Sequence, residues 1–506
     1  MPATELSERV ARLTEQFVDA VPDPIDRELR ALLVRLREPM RVAVVGRVKA
    51  GKSTMVNALL GQRVAPTGVS ECTRVVTWFR YGYPQRIEVE LKDGSRVEAQ
   101  LTPEGMLPET LPVAADQVAS IQAYLANDVL KDLILIDTPG IGSVHEEFSA
   151  ETEELLAITA ESNAATAQAD AVVFLLNQVV MEDEHEALRR LAAGEDDAGS
   201  AANTVGVLSK ADQLGDGMSD PWQIALELAT RFSERFNTEV STVVPVIGLM
   251  AETAEAAAIT ELDARHLAAL AALDPAQVEP MLWSPDRFVE SESPVPREAR
   301  EHLLEVLDLY GIEKAIAILR EGSCTTTELR DKLASMSGIA DVRKVISSLF
   351  NAQDDVLKVR SVLDLLNRLS YRRDSGASPA VMQKLRTQVE ELRIDPVMHP
   401  VAELEAWHAC CTGKVHLPPD LAAELQRLVA PTSLAARMGV PEGDPGAIRE
   451  AAKAAMSRWR SFMVTDADPG QASVARVVLR SYQLAYAAAT QPPIASIRSS
   501  SDGGSG

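Results

Sequence analysis

The chain has 506 residues, of which 46% are apolar and 25% charged, and it carries a formal net charge of −24. This length and composition describe a globular protein of several domains with sizeable cores. The acidic balance opposes binding to nucleic acid, whose phosphates are met by Lys and Arg, and no apolar run approaches the roughly 18 to 20 residues that span a bilayer.

The polar start, MPATELSERV, has no signal-peptide core. Leu6, Val10, Leu13 and Phe17 recur at helical spacing, and beyond Pro22 and Pro24 so do Ile25, Leu29, Leu32 and Leu36, which predicts two helices within residues 1–38. From Arg41 to about Ile247 short apolar runs alternate with helical patterns: RVAVV, RVVTWF, LILID, AVVFLL, TVGVLS and STVVPVI. That alternation predicts an α/β domain over 39–255, a mostly parallel sheet covered by helices. Between Tyr81 and Leu101, the alternating RIEVELKDGSRVEAQ turns at Asp93-Gly94 and predicts a hairpin on the sheet edge.

The run RVAVV leads into GRVKAGKST, and STMVNALLG leaves it with helical spacing at Met55, Leu59 and Leu60. In the pattern G-x-x-x-x-G-K-[ST], glycines let backbone N–H groups approach phosphates, the lysine meets the β/γ oxygens and the hydroxyl reaches Mg²⁺. Here those positions are Gly46, Gly51, Lys52 and Ser53, with Ala50 and Thr54 completing the loop. Lys49 is a second cation that the pattern does not require.

LILIDTPG puts Asp137 at the end of a buried strand, where it holds Mg²⁺ through water, and lets Gly140 offer its N–H to the γ-phosphate. Many ATPases place an acidic residue directly after that aspartate; here it is Thr138. The strand TVGVLS runs into Ser209-Lys210-Ala211-Asp212, similar to the [NT]-K-x-D element whose carboxylate accepts from N1–H and the N2 amino group of guanine. Adenine leaves that carboxylate badly paired. Lys210 would lay its aliphatic stem along the base, and Ser209 retains a hydroxyl where Asn or Thr is usual. The last base-contacting loop falls in VPVIGLM, where Ile247 and Gly248 offer only backbone groups. Thr73, in APTGVSECTRVVT, is the candidate to complete the Mg²⁺ shell with Ser53 and Asp137; Thr67 and Thr77 compete with it.

Beyond about Ala251 the strand signals stop and helical patterns fill 256–492, jointed by prolines near 275–297, 395–400, 418–419 and 441–445. Val342, Val345, Leu349, Ala352, Val356, Val359, Leu363 and Leu366 form a seam that suits a long bundle helix or a coiled coil. Residues 493–506 read as a Ser/Gly-rich, poorly packing tail. Cys72, Cys324, Cys410 and Cys411 show no metal or framework spacing and read as reduced thiols of a cytoplasmic protein. A metal site from His408 and His416 with the adjacent Cys410 and Cys411 is a weak alternative.

With these residues in view, GRVKAGKST, APTGVSECTRVVTWF, DTPG and SKAD together resemble the dynamin-like large GTPases of bacteria. They are most like the shorter of the isoniazid-induced dynamin-like proteins of mycobacteria and related actinobacteria. The resemblance implies GTP as substrate, Mg²⁺ as cofactor, and hydrolysis without an external activating protein. It implies a role for Lys49, since bacterial members often carry a basic residue there that neutralises transition-state charge in cis; Lys49, Lys52 and Thr73 are the expected catalytic set. Eukaryotic dynamins place a water-orienting glutamine where Val48 stands, and valine cannot do this.

The resemblance also implies a P-loop GTPase head and an all-α helical-bundle stalk formed from N- and C-terminal segments, with joints at Pro22 to Pro24, Glu38-Pro39 and 284–297. The expected partners are a second copy or a paralogous dynamin-like protein, and the inner face of the plasma membrane, touched peripherally. For membrane contact the candidates are Lys453, Arg458 and Arg460 beside Trp459, Phe462 and Met463, and Tyr371-Arg372-Arg373; the loops AWHACCTGKVHLPP and PEGDPG are weaker ones. The competing expectation is a GTP-switched scaffold, for example at a division septum, with little hydrolysis.

Overall fold

The computed structural model describes residues 5–67, 75–140, 169–180, 182–193, 204–215, 220–237, 239–322, 324–347, 354–372, 376–411, 415–429 and 433–490. Thr73, Cys72, Arg373 and the tail at 493–506 lie outside these residues. The chain divides into two compact units, 1–386 and 387–506.

Among the described residues the first unit carries a nine-stranded sheet in the order β4-β3-β5-β2-β6-β1-β7-β8-β9. The strands are β1 (Met40–Gly46), β2 (Thr77–Tyr81), β3 (Arg86–Leu91), β4 (Arg96–Ala99), β5 (Val118–Leu125), β6 (Leu133–Asp137), β7 (Ala171–Leu176), β8 (Thr204–Leu208) and β9 (Thr242–Pro245). β6, β1, β7, β8 and β9 run parallel, which is why β7 and β8 are buried at every position: helices cover both faces. β2 is antiparallel to β6, and β5 is parallel to β2. The β3–β4 hairpin closes at Gly94, whose φ of 85° suits a residue without a side chain, and it does lie on the sheet edge. The sequence reading missed β5 between them, although Val118, Ile121, Ala123 and Leu125 are its buried positions.

The sheet's apolar core continues without a break at residue 255. Leu267 and Leu270 of helix Glu261–Ala271, Phe288 of helix Pro285–Glu290, Leu303 and Ile312 of helix Arg297–Glu321 and Leu329 of helix Thr326–Met336 belong to the same cluster as Phe174 of β7. The expected seam appears as helices Ile339–Ile346 and Asp354–Tyr371, with residues 348–353 outside the described set.

The two N-terminal helices, α1 (Glu5–Glu15) and α2 (Ile25–Arg37), pack on each other and on helix Asp354–Tyr371. Arg35 of α2 reaches the head of β7: it lies 3.1 Å from Asp170 with both side chains at most 8% exposed, and the Arg41 N–H donates to the same carboxylate at 2.9 Å. The Glu38 joint is clamped as well. Its carboxylate meets Arg41 at 2.7 Å and Arg80 at 2.8 Å, both of which stack over Trp78, and its carbonyl accepts from Lys358 Nζ at 2.8 Å.

The second unit is built from helices His399–Cys411, Pro419–Val429, Leu434–Met438, Pro445–Thr465 and Pro469–Ala488. Trp459 and Tyr482 sit in its core, and both donate to the buried Glu424 carboxylate, at 2.8 Å and 3.0 Å; Arg458 pairs with the same group. This corrects the reading of 453–463 as a membrane-facing stretch, because its tryptophan faces inward and its first two cations are held by Glu450 and Glu424. Tyr371 is 56% exposed, with the Arg386 guanidinium 3.8 Å from its ring centre, and Arg372 pairs with Glu28 at 2.7 Å.

Two stability outcomes follow from these buried groups. Asp170→Ala removes the carboxylate that faces Arg35 and costs about 3–5 kcal/mol in urea unfolding. Trp459→Ala opens the second core and strips a donor from Glu424, costing about 3–5 kcal/mol, while vesicle co-sedimentation per folded molecule stays as in the parent.

Candidate active site

The parallel strands β1, β6, β7, β8 and β9 end at one edge of the sheet, and register fixes what meets there. Val44 lies beside Asp137, Gly46 beside Leu175, and Leu208 beside Pro245. Such an edge, at the carboxyl ends of parallel strands, is where open α/β sheets bind ligands.

β1 opens into loop 47–51, which precedes α3 (Lys52–Leu60). A side-chain carbon on Gly46 would come 3.0 Å from Leu175 Cβ, whereas Gly51 has a φ of 92°, so one glycine permits close approach and the other a left-handed turn. Ala50 is buried, Ser53 and Thr54 half-buried. Lys52 is only 9% exposed and donates from Nζ to the carbonyls of Gly46 at 3.1 Å and Arg47 at 2.9 Å. Burial lowers its pKa, and Asp137 opposes the shift.

Ser53 Oγ donates to Asp137 Oδ2 at 2.9 Å. Burial pushes the Asp137 carboxyl up to about 6 against the pull of Lys52 and Ser53. The pair fits Mg²⁺: a hydroxyl and a carboxylate are hard oxygen donors, and the half-buried carboxylate is poorly compensated by Lys52 and Ser53 alone. Next in the chain, Thr138 Oγ1 donates to the Val44 carbonyl at 2.8 Å and pins the turn to β1. A side-chain carbon on Gly140 would lie 2.6 Å from Val48 Cγ2 and 2.7 Å from Val48 Cα, so the turn after β6 touches the phosphate loop where only hydrogen fits.

Lys49 is exposed with a φ of 63°, a left-handed backbone that costs a lysine about 1–2 kcal/mol. Val48 beside it is 57% exposed. Thr73 lies outside the described residues; of its competitors, Thr67 is exposed and Thr77 is buried in β2 opposite Asp137.

On the other side of the edge, Ser209 donates from both N and Oγ to the Leu176 carbonyl, at 2.9 Å and 3.2 Å, which is what the retained hydroxyl does. Lys210 turns the chain with a φ of 54°, and the Ala211 N–H donates to the Val246 carbonyl at 3.2 Å. Asp212 is half-buried; burial raises its carboxyl pKa, and Asp308 adds to the rise. One expectation needs correction: the Ile247 N–H donates to the Ser337 carbonyl at 2.9 Å and so is already committed. Gly248 opens helix Gly248–Glu255, and a side-chain carbon there would lie 3.5 Å from Thr54 Cγ2.

Sequence reasoning passed over Asn57. Its Oδ1 accepts from the N–H groups of Val64 and Ala65 at 3.0 Å and 2.8 Å, and its Nδ2 donates to the Ala65 carbonyl at 2.8 Å and Glu252 Oε1 at 2.9 Å. It fixes the chain leaving α3. The signal was present, a lone amide inside the apolar helix MVNALL, where a buried polar group has to be satisfied.

Several known proteins are similar to this chain. The dynamin family's sequence profile matches residues 42–211. Isoniazid-induced protein IniC of Mycobacterium tuberculosis is 33% identical over 446 residues, covering 86% of this chain and 87% of IniC. Dynamin-like protein 2 of Campylobacter jejuni is 28% identical over 156 residues, 30% of this chain and 24% of that protein. A solved oligomerised bacterial dynamin pair aligns over 96% of this chain and 90% of that chain, at 12% identity and a TM-score of 0.32.

The half-buried carboxylate predicts its own trade-off. The Asp137 carboxyl titrates near 6 when folded and at its ordinary value of 3.8 when unfolded. Unfolding therefore releases a proton between pH 4 and 6, stability falls as pH rises through that window, and the deficit persists above it. Asp137→Asn removes it and stabilises the Mg²⁺-free protein at pH 7 by about 1–2 kcal/mol, the lost attraction to Lys52 offsetting part of the gain. Thermal melts should show a raised Tm for the variant and the loss of any further rise on adding Mg²⁺ with nucleotide.

Proposed function

The chain belongs to the dynamin family of GTPases, and from that premise we propose that it binds GTP with Mg²⁺ at loop 46–54, hydrolyses it, and couples turnover to self-assembly and peripheral membrane contact. The observation that carries this reading is Ser53 bonded to Asp137 at 2.9 Å, with Lys52 buried beside them on two loop carbonyls. Ser53 and Asp137, with Thr73, would hold Mg²⁺, which when bound supplies charge that neutralises the β/γ-phosphate oxygens.

The chain's own groups do the rest. Lys52 exchanges the Gly46 and Arg47 carbonyls for phosphate oxygens, Gly51, Ser53 and Thr54 offer backbone N–H groups to the phosphates, and the Ala50 N–H, which donates to the Arg47 carbonyl at 3.1 Å, gives up that bond to join them. Gly140 offers its N–H to the γ-phosphate. Lys49, held in a left-handed backbone at the loop's exposed tip, brings a second cation to the charge that develops near the β/γ bridge. Asp212 accepts from N1–H and the N2 amino group of guanine, Lys210 lies along the base, Ser209 anchors their turn, and Gly248 contributes backbone. The Val48 side chain cannot hydrogen-bond water, so the attacking water is oriented by Thr73 and backbone groups and turnover is slow.

The proposed working form is a homo-oligomer, or a hetero-oligomer with a paralogous dynamin-like protein, cytoplasmic and peripheral to the inner face of the plasma membrane. Family membership supports this, and no helix among the described residues is long and apolar enough to cross a membrane. For the proposed head over 39–255 and stalk from 1–38 and 256–492, the packing of α1 and α2 on helix Asp354–Tyr371 is support, whereas the helices between Glu261 and Met336 share the core of the sheet and extend the head past 255. The second reading, a GTP-switched scaffold with little hydrolysis, is favoured by Val48 at the water-orienting position.

Phosphate release separates the two. The parent turns over GTP, and anionic liposomes accelerate it. Lys52→Ala loses nucleotide binding, whereas Lys49→Ala binds GTP but falls by about 10²–10³ in kcat. A parent that binds GTP and releases no phosphate with or without liposomes establishes the scaffold instead.

A further inference from the structure

Far beyond the motif-bearing residues the chain returns to the base side of the site. Helix Thr326–Met336 ends at Ser337, and helix Ile339–Ile346 starts after Gly338. This junction sits on loop 245–248. The Ile247 N–H donates to the Ser337 carbonyl at 2.9 Å, and fully buried Ser337 is itself fixed, its Oγ donating to the Ala334 carbonyl at 2.7 Å and accepting from the Ile339 N–H at 3.3 Å. Gly338 has a φ of 83°, and a side-chain carbon there would lie 2.3 Å from the Pro245 carbonyl oxygen and 2.8 Å from the Trp222 ring.

A contact that short against backbone cannot be relieved by turning a side chain. Any other residue at 338 must displace either the junction or the loop. The loop passes the constraint on, because the Val246 carbonyl accepts from the Ala211 N–H, one residue before Asp212. On the same helix as the junction, Arg343 donates to the Ala58 carbonyl at 2.8 Å, near the C-terminal end of α3, where carbonyls lack helical partners, and pairs with Glu255 at 2.7 Å.

We infer that the Ser337–Gly338 junction is a positioning element for base recognition. Its backbone holds loop 245–248, and through it the Asp212 turn, in register with the guanine edge, while Arg343 braces the phosphate-loop helix. The inference rests on the reading of Ser209 to Asp212 as the guanine-binding turn. It makes nucleotide affinity depend on residues outside the matched family segment, through two separable supports.

The test uses the full chain and fluorescent GDP displaced by GDP or by inosine diphosphate, which lacks the N2 amino group. Gly338→Ala weakens GDP by about tenfold or more and inosine diphosphate by less, so the ratio of the two affinities falls, while kcat at saturating GTP stays within about twofold of the parent. Arg343→Ala weakens both ligands by one common factor, and Arg343→Lys recovers part of that loss. A folded Gly338→Ala that binds GDP within about twofold of the parent at an unchanged ratio overturns the inference. Should Gly338→Ala not fold, amide exchange in the parent decides: GDP slows exchange at 337–343 together with 245–248 if the inference holds, and protection confined to 245–248 refutes it. A parent that binds neither diphosphate overturns the guanine reading, and the inference with it.

Discussion

A half-buried carboxylate at the end of a buried strand is the constraint around which the nucleotide edge is arranged. Asp137 closes β6 inside the sheet, with Ser53 donating to it and Lys52 as its nearby cation. Burial disfavours charge on both sides of this pair, raising the carboxyl and lowering the amine. A lysine held on two backbone carbonyls and a carboxylate held by one hydroxyl are groups prepared for partners richer in charge. A triphosphate with its divalent cation has that chemistry, and this is the sense in which the site is destabilised in order to work.

Parallel register turns that local pair into a site. Because β6, β1, β7, β8 and β9 end together, the phosphate loop, the Asp137 turn and the Asp212 turn share one edge, and their mutual contacts are backbone-close at Gly46 and Gly140. The far ends of β1 and β7 are tied down by Arg35 and Asp170, which fixes the N-terminal helices to the sheet. Buried ion pairs are weak evidence for net stability, but losing one partner is costly, so this connection acts as a specific fastening.

The phosphate loop, the sheet and the edge hairpin were legible because each rests on local spacing: period two in strands, period three to four in helices, and glycine where the backbone bends. What escaped depends on distant packing. β5 was passed over because its alternation runs only from Ile121 to Leu125 and is broken before that at Ala119 and Ser120, both half-buried. Trp459 beside Arg458 and Arg460 resembles an interfacial mixture in sequence, and only the carboxylate of Glu424, on another helix, turns the ring inward. Ile247 could not be seen to be committed, since its acceptor, Ser337, is distant in the chain. Gly338 carries no signal at all: a lone glycine between helices reads as a cap, and its Pro245 contact exists only in three dimensions.

The account stands most directly on whether the Ser53–Asp137 pair makes GTP chemistry depend on a divalent cation. The measurement is phosphate release from GTP by the full chain with Mg²⁺ and with excess chelator, each repeated with a large excess of ATP. The account predicts turnover that needs Mg²⁺, returns when Mg²⁺ is restored, and is indifferent to ATP. Turnover that persists in chelator, or that ATP suppresses as an equal competitor, would contradict both the metal assignment and the guanine-reading role of Asp212.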